Sequence, residues 1–214
     1  LQVEVTGADT SSISLFRNTN NAFGPYLTLG KSRGGAVNAD TIIADNDVLG
    51  TISWAVADGT DRASVGAKIF ARVNGSPGSN DTPTELVFAT TADEANDSTE
   101  RMYISSTGNV GIGIASPLSD LHINQAAEGL PPTSGTTHTG SLVLGSATGG
   151  QTGLLTMGTA PAAKTWIQAT DSSGFHENFI LLLNPNGGNV GIGTTSPDYP
   201  LEVENAGFDQ ITCT

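Results

Sequence analysis

GNVGIGIASPLSDLHIN, at residues 108–124, is the first copy of an internal repeat whose second copy, GNVGIGTTSPDYPLEVE, occupies residues 188–204. Nine of the 17 aligned positions are identical, including the hexapeptide GNVGIG and a Ser-Pro pair. Self-similarity at a fixed spacing is typical of proteins built from serial structural modules. The repeat therefore predicts a chain of modules that each end in the same local structure.

The last residues of the repeat predict the module boundaries. Leu-x-Ile or Leu-x-Val closes both copies, and the same pattern opens the chain at residues 1–3. Because the first residue is Leu1 and not Met, we expect the chain to be a piece of a longer protein. The pattern divides it into a longer module, a shorter module and the start of a third, at 1–120, 121–200 and 201–214.

The hexapeptide itself predicts a strand with one apolar face. Val110 and Ile112 alternate with Gly111 and Gly113, and successive strand residues point to opposite faces. The other face is bare, which indicates a crowded place where another backbone lies against it. A Ser-Pro pair should then end the strand, because proline donates no ladder hydrogen bond. The predicted turn residues are Ser116 and Pro117 in the first copy, and Ser196 and Pro197 in the second.

The rest of the chain has a β composition. Short runs at 51–56, 68–73 and 86–88 are rich in β-branched and aromatic residues and are bounded by turn formers. The Asp58-Gly59 and Asn74-Gly75 pairs predict tight hairpins. Residues 91–102 have the only helical composition, but their Asn, Asp, Ser and Thr content favours a solvated loop or a single turn. We expect an all-β protein with very little helix.

Such a chain would leave strand edges and apolar stripes uncovered, which is an aggregation hazard. Three copies around a common axis would cover both. The predicted fold is therefore an elongated, intertwined homotrimeric fibre of serial β-modules, similar to a β-prism or a triple β-helix. The predicted trimer core comprises Val110, Ile112, Val190 and Ile192.

Charge and hydrophobicity exclude several classes of function. The net charge is −13, with 8 basic residues against 21 acidic ones, and this argues against nucleic acid as a partner. The longest apolar run, at 179–183, is far shorter than the roughly 20 residues of a membrane helix, so no membrane insertion is expected. The single cysteine, Cys213, cannot form an intrachain disulfide. Stability must come from packing or assembly.

No cofactor or metal is expected from the sequence. The glycines of the repeat lack the lysine of a P-loop and do not form GxGxxG. Asp40, Asp45 and Asp47 could bind a hard cation, but their spacing does not match an EF-hand and a solvated loop is favoured. The three histidines lack the short spacing of metal-ligand pairs, although three copies of His122 on an axis remain an alternative. They are His122, His138 and His176.

Glycoside cleavage would require paired carboxylates and aromatic residues for stacking. Aromatic residues make up only 6% of the chain. Trp54 and Trp166 stand at equivalent points of the two modules, which favours a repeated structural role over a catalytic one. The tyrosines are too dispersed to predict a sugar site; they are Tyr26, Tyr103 and Tyr199. We expect no enzyme activity.

GNVGIGTTSP followed by a short Leu-x-Val strand resembles a motif repeated in bacteriophage tail fibres and related fibre proteins. The segments at 27–34, 85–114 and 181–197 resemble the same group. The resemblance implies a trimeric, β-rich structural segment of an extracellular virion tail fibre that supports host-cell attachment. Its partners would be further copies of itself and neighbouring fibre or tail proteins, with cell-surface glycans as a further candidate.

Two alternatives remain open. The first is a carbohydrate-binding or cell-adhesion module of a bacterial surface fibre, in which the extra residues of the longer module, between Ala36 and Ser98, form a lateral ligand site. The second is a polysaccharide depolymerase that uses paired acidic residues.

Overall fold

The computed structural model describes residues 13–124, 129–134, 139–145, 153–171, 175, 177 and 179–204, and all regular secondary structure in these ranges is β. The all-β prediction is confirmed for this part of the chain. The molecule divides into two compact units, residues 1–124 and 125–214. The opening Leu-x-Val pattern at 1–3 lies outside the described residues, as do residues 205–214 of the predicted third module, 201–214.

The first unit contains a six-stranded sheet. Its strands lie side by side in chain order, antiparallel except for a parallel pair formed by the last two. They are β1 (Val48–Val56), β2 (Ser64–Val73), β3 (Thr84–Thr90), β4 (Thr99–Ile104), β5 (Val110–Ile112) and β6 (Leu121–Ile123).

The three strands predicted from composition lie within β1, β2 and β3. The predicted hairpins connect these strands, but they are not tight two-residue turns. Residues 57–63 separate β1 from β2, and residues 74–83 separate β2 from β3. A tight turn requires positive φ at both central residues, and only the glycines have it: Gly59 and Gly75 adopt positive φ, whereas Asp58 and Asn74 do not. The first loop is longer because Asp58 accepts hydrogen bonds from the amides of Thr60 and Asp61, which builds a side-chain turn beyond the strand end.

The segment 91–102 is only partly a loop. Residues 91–98 form turns, and β4 then begins at Thr99. Pairing with β3 overrides the weak helical composition of these residues, because each added strand satisfies a row of backbone donors and acceptors. Phe70, Val87 and Tyr103 lie side by side on neighbouring strands and form the buried cluster of the sheet.

The second unit contains a three-stranded antiparallel sheet and a separate parallel pair. The segment LVLG at 142–145 has nearly the same sequence as LTLG at 27–30, and it forms a paired strand in the second unit. LTLG itself, in the first unit, lies outside the strands, with Leu29 against Gly50 of β1. The strands are β7 (Leu142–Gly145), β8 (Gly153–Ala160), β9 (Lys164–Asp171), β10 (Val190–Ile192) and β11 (Leu201–Val203).

β6 belongs to the sheet of the first unit. The sequence places 121–123 at the start of the second module, but β6 pairs with β5 and the compact unit ends at Asn124. The repeated stretch therefore closes a unit with both of its strands. The module bounds otherwise stay a prediction.

Candidate interaction face

Both copies of the repeat form the same parallel strand pair. β5 pairs with β6 in a register that sets Val110 opposite Leu121, and β10 pairs with β11 in a register that sets Val190 opposite Leu201. Only residues 113–120 and 193–200 connect the paired strands. Parallel pairing usually needs a connection of a dozen residues or more, so the turn must be unusually compact.

Backbone hydrogen bonds at the ends of each pair are repeated between the copies. The amide of Val110 donates to the carbonyl of Asp120 at 2.8 Å, and that of Asn124 donates to the carbonyl of Ile112 at 2.9 Å. In the second copy the amide of Val190 donates to Pro200 at 3.0 Å and that of Glu204 donates to Ile192 at 2.7 Å. The two copies thus share the same backbone hydrogen bonds, although residues 120 and 124 differ from residues 200 and 204.

Side chains hold the compact turn at two repeated points. The side-chain amide nitrogen of Asn189 donates to the carbonyl of Pro197 at 2.7 Å, and Asn109 makes the longer equivalent contact with Pro117 at 3.5 Å. The side chains at positions 122 and 202 accept a hydrogen bond from the backbone amide four residues before them. His122 Nδ1 lies 3.4 Å from the amide of Leu118, and Glu202 Oε2 lies 2.6 Å from the amide of Asp198. His122 therefore has a structural role in its own chain.

The glycines of the repeat are required by this turn. The bare face predicted for Gly111 is covered by the carbonyl of Ile114, and that of Gly191 by the carbonyl of Thr194, so the backbone against each glycine is the chain's own. Gly113 and Gly193 have φ of 72° and 80°. These glycines end the strands, so the prediction that the Ser-Pro pair ends them is wrong: the pair lies within the connection.

We expect Gly113→Ala to destabilise the first unit by about 2 kcal/mol. A left-handed φ costs a residue with a Cβ about 1 kcal/mol, and a Cβ here would lie 2.5 Å from the carbonyl oxygen of Asn124. Gly108→Ala is the matched control, because Gly108 also has positive φ but no atom lies within 4 Å of the position that a Cβ would take. Urea denaturation should show the larger loss for Gly113→Ala; equal losses would mean that the close contact has no energetic effect.

Two neighbouring rows on one face of the six-stranded sheet are entirely apolar. Residues paired across neighbouring strands share a face, and two successive rows on this face contain no polar side chain. We call these twelve positions the apolar face. One row is Ile52, Ile69, Phe88, Met102, Ile112 and Ile123; the other is Gly50, Ala71, Leu86, Ile104, Val110 and Leu121.

None of the twelve positions is buried, whereas several residues of the opposite face are buried and one of these is charged. That opposite face contains the buried cluster together with an ion pair between Arg72 and Glu85, and Glu85 is only 1% exposed. A folded chain normally buries its more apolar face, because apolar burial is the main source of stability. This sheet has the reverse arrangement.

The second unit repeats the reversed arrangement. The rows Leu142–Met157–Ile167 and Leu144–Leu155–Ala169 share one face of its three-stranded sheet, and none of the six side chains is buried. On the opposite face, Thr156 and Thr170 are buried and hydrogen-bonded to backbone carbonyls. Two different sheets in one chain therefore present their apolar faces outward.

Two of the predicted core residues, Val110 and Ile112, lie on the apolar face, whereas Val190 and Ile192 lie on β10 of the separate parallel pair. Ile112 is 41% exposed and Ile192 is 55% exposed, whereas Val110 and Val190 are half-buried. The structure adds Leu121 and Leu201, both 56% exposed, beside them. These leucines are recognisable in the sequence as part of the repeat, but their position beside the valines follows only from the register of the parallel pair.

Two of the three clustered aspartates, Asp45 and Asp47, accept hydrogen bonds from other residues of the chain. Asp47 receives two hydrogen bonds from the guanidinium of Arg33, at 2.7 and 2.9 Å, and Asp45 accepts one from the amide of Gly75 at 2.9 Å. No group of three or more potential metal ligands comes together within the described ranges. Hydrogen bonds from Arg33 and from the amide of Ala44 hold the pKa of Asp47 well below its usual value. The cluster anchors the extended segment that precedes β1.

We expect Asp47→Asn to lower thermal stability at neutral pH and to flatten its decline in acid. Because the pKa of Asp47 is depressed in the folded state, its contribution is complete above the ordinary value of 3.8 and is lost as the pH falls further. Melting curves recorded from about pH 7 to about pH 3 should show that the difference in melting temperature between variant and parent shrinks as the pH falls. Asp40→Asn removes a nearby charge outside the ion pair and is the control; a difference that does not shrink would contradict the assignment.

The aromatic and histidine candidates do not come together. Trp54 is half-exposed on β1, whereas Trp166 donates from Nε1 to the carbonyl of Gly129 at 2.9 Å, so the two tryptophans have different environments. Tyr103 lies in the buried cluster, and Tyr26 and Tyr199 are exposed. His138 and His176 lie outside the described residues.

Comparison with known proteins found no match to a protein-family model and none to a curated protein. Within the part of the chain that the structure describes, no helix has the length and hydrophobicity to span a membrane. The resemblance to tail fibres therefore stays a prediction from the repeat.

Proposed function

We propose that the chain is a structural segment of a homotrimeric fibre, of the tail-fibre type, whose copies associate through their apolar faces. In this role it supports host-cell attachment mechanically and catalyses no reaction. The fibre would be extracellular, as part of a virion or, in the alternative, of a bacterial surface.

The observation that carries the proposal is the reversed arrangement of both sheets. An uncovered apolar face across six strands is an aggregation hazard for a monomer. Burying a half-exposed aliphatic side chain contributes roughly 1 kcal/mol, and four of the twelve positions in each copy are such side chains: Ile52, Leu86, Ile112 and Leu121. The exposed run at 180–183, with four aliphatic side chains in succession, points the same way.

Composition favours a second copy over other partners for this face. The chain carries a net charge of −13, yet the twelve positions contain no charged side chain. Identical acidic chains repel one another, and they can approach with least cost where their surfaces carry no charge. A glycan would instead require polar groups to fix its orientation.

The test is the solution mass of the chain by light scattering, with small-angle scattering for its shape. We expect three times 21.8 kDa and a rod-like profile. A compact monomer would overturn the proposal, and it would return attention to the bacterial adhesion module. Glycan-array binding that depends on residues between Ala36 and Ser98 would then support that alternative.

A further inference from the structure

We infer that the apolar face associates in one direction, so that Ile112 and Leu121 of one copy pack into a groove beside β1 of a second copy. This inference rests on the proposed function, because it takes self-association as given. Beyond self-association, the inference specifies that the β5–β6 end of one apolar face contacts the β1 end of another.

The groove lies at the β1 end of the apolar face. Leu27 and Leu29, from the extended segment before β1, form one wall, and sheet residues that include Ile52 and Leu86 form the other. Its volume is about 300 Å³, and all of the residues that line it are apolar. A site for a small polar ligand would contain a few polar groups to orient that ligand. This groove fits aliphatic side chains instead.

The opposite end of the apolar face is formed by β5 and β6, and the most exposed side chains there are Ile112 and Leu121. Ile112 on β5 and Leu121 on β6 project there, and β6 is the last strand of the sheet. The groove extends to Leu86 on β3, which lies two inter-strand spacings from the strand of Ile112 and three from that of Leu121, about 10 and 14 Å in a flat sheet. These side chains therefore cannot fill the groove of their own copy, although they can fill that of another.

A contact between two different ends of the same face is head-to-tail. Such a contact leaves one unused groove and one unused pair of projecting side chains on every dimer, so a further copy can add. Three copies close the ring when each turns by a third of a circle relative to the last. A contact between like ends would stop at two copies.

The test uses thiol pairs in a background in which Cys213 is replaced by serine. Leu27→Cys and Leu121→Cys together place one thiol in the groove wall and one at the projecting end. A short bismaleimide joins thiols that are too far apart for a disulfide. We expect covalent dimers and trimers from the double variant, none from either single variant, and heterodimers when the two single variants are unfolded and reassembled together.

The control is the pair Val37→Cys and Leu121→Cys, because Val37 is 92% exposed but lies off the sheet. Light scattering of the same samples distinguishes a wrong contact from a missing trimer. A trimeric mass without the Leu27–Leu121 cross-link, or with a cross-link inside a single chain, would overturn the head-to-tail contact but not the trimer. A monomeric mass would overturn both.

Discussion

Ile112→Asp is expected to convert the trimer into monomers, and Ile192→Asp is expected to do the same. Each substitution removes an aliphatic side chain of the predicted trimer core and places a carboxylate there in every copy. Taking a carboxylate out of water costs several kcal/mol even after relaxation, and each of the three contacts in the trimer would bear that cost. The combined cost is comparable with the net free energy of association at a standard interface, about 8–16 kcal/mol.

The folded monomer should tolerate these substitutions, because 41% of Ile112 and 55% of Ile192 are already exposed. Circular dichroism should therefore retain the β signal while light scattering reports one third of the mass. Val37→Asp adds the same charge at an exposed site off the sheet and should leave the trimer intact. A trimeric mass for both isoleucine variants would show that these residues lie away from the interface.

The sequence predicted those features that depend on neighbouring residues in the chain. β1, β2 and β3 are recognisable because β-branched and aromatic residues cluster between turn formers. The shared face of Val110 and Ile112 is recognisable because a strand alternates its faces every residue. The same reasoning explains why Gly111 is bare on the side where the turn folds back.

The apolar face as a whole could not be predicted in the same way. Its two rows exist only because six strands pair in one particular register, and a slip of one residue would move a strand's apolar set to the other face. Phe88 and Met102, for example, come from strands joined by a loop, and no pattern within either strand identifies the other. The groove likewise depends on where Leu27 and Leu29 lie in space.

The polar side of the sheet could not be predicted either. Arg72, Glu85 and Glu100 are 13 to 28 residues apart, so nothing in the local sequence joins them. The structure brings them together on β2, β3 and β4, with Glu85 almost fully buried. Although burial opposes the charge, the hydrogen bonds to Glu100 and Glu85 outweigh it and raise the pKa of Arg72.

Arg72→Met is expected to destabilise the first unit by about 2–3 kcal/mol, slightly less than for a fully buried pair because part of Arg72 remains in water. Arg72 Nε donates to Glu85 at 2.6 Å, and the two terminal nitrogens of its guanidinium donate to Glu100 at 2.9 and 3.1 Å. Removing the cation leaves the buried carboxylate of Glu85 with only Asn74, at 3.0 Å, as its side-chain hydrogen-bond donor among the described residues. Methionine preserves most of the aliphatic packing, so the loss reports on the charge.

The double variant Arg72→Met/Glu85→Met should recover much of this loss. Replacing both members of a buried pair removes the uncompensated charge, whereas replacing one creates it. Glu100 keeps contact with water in the double variant, because 30% of its side chain is exposed. Urea denaturation of all variants at one protein concentration measures the effect, since the stability of an oligomer depends on concentration. If the double variant were as unstable as Arg72→Met, the three-strand ion pair would be needed for correct strand register, and the polar side chains of the covered face would specify which face of the sheet remains open.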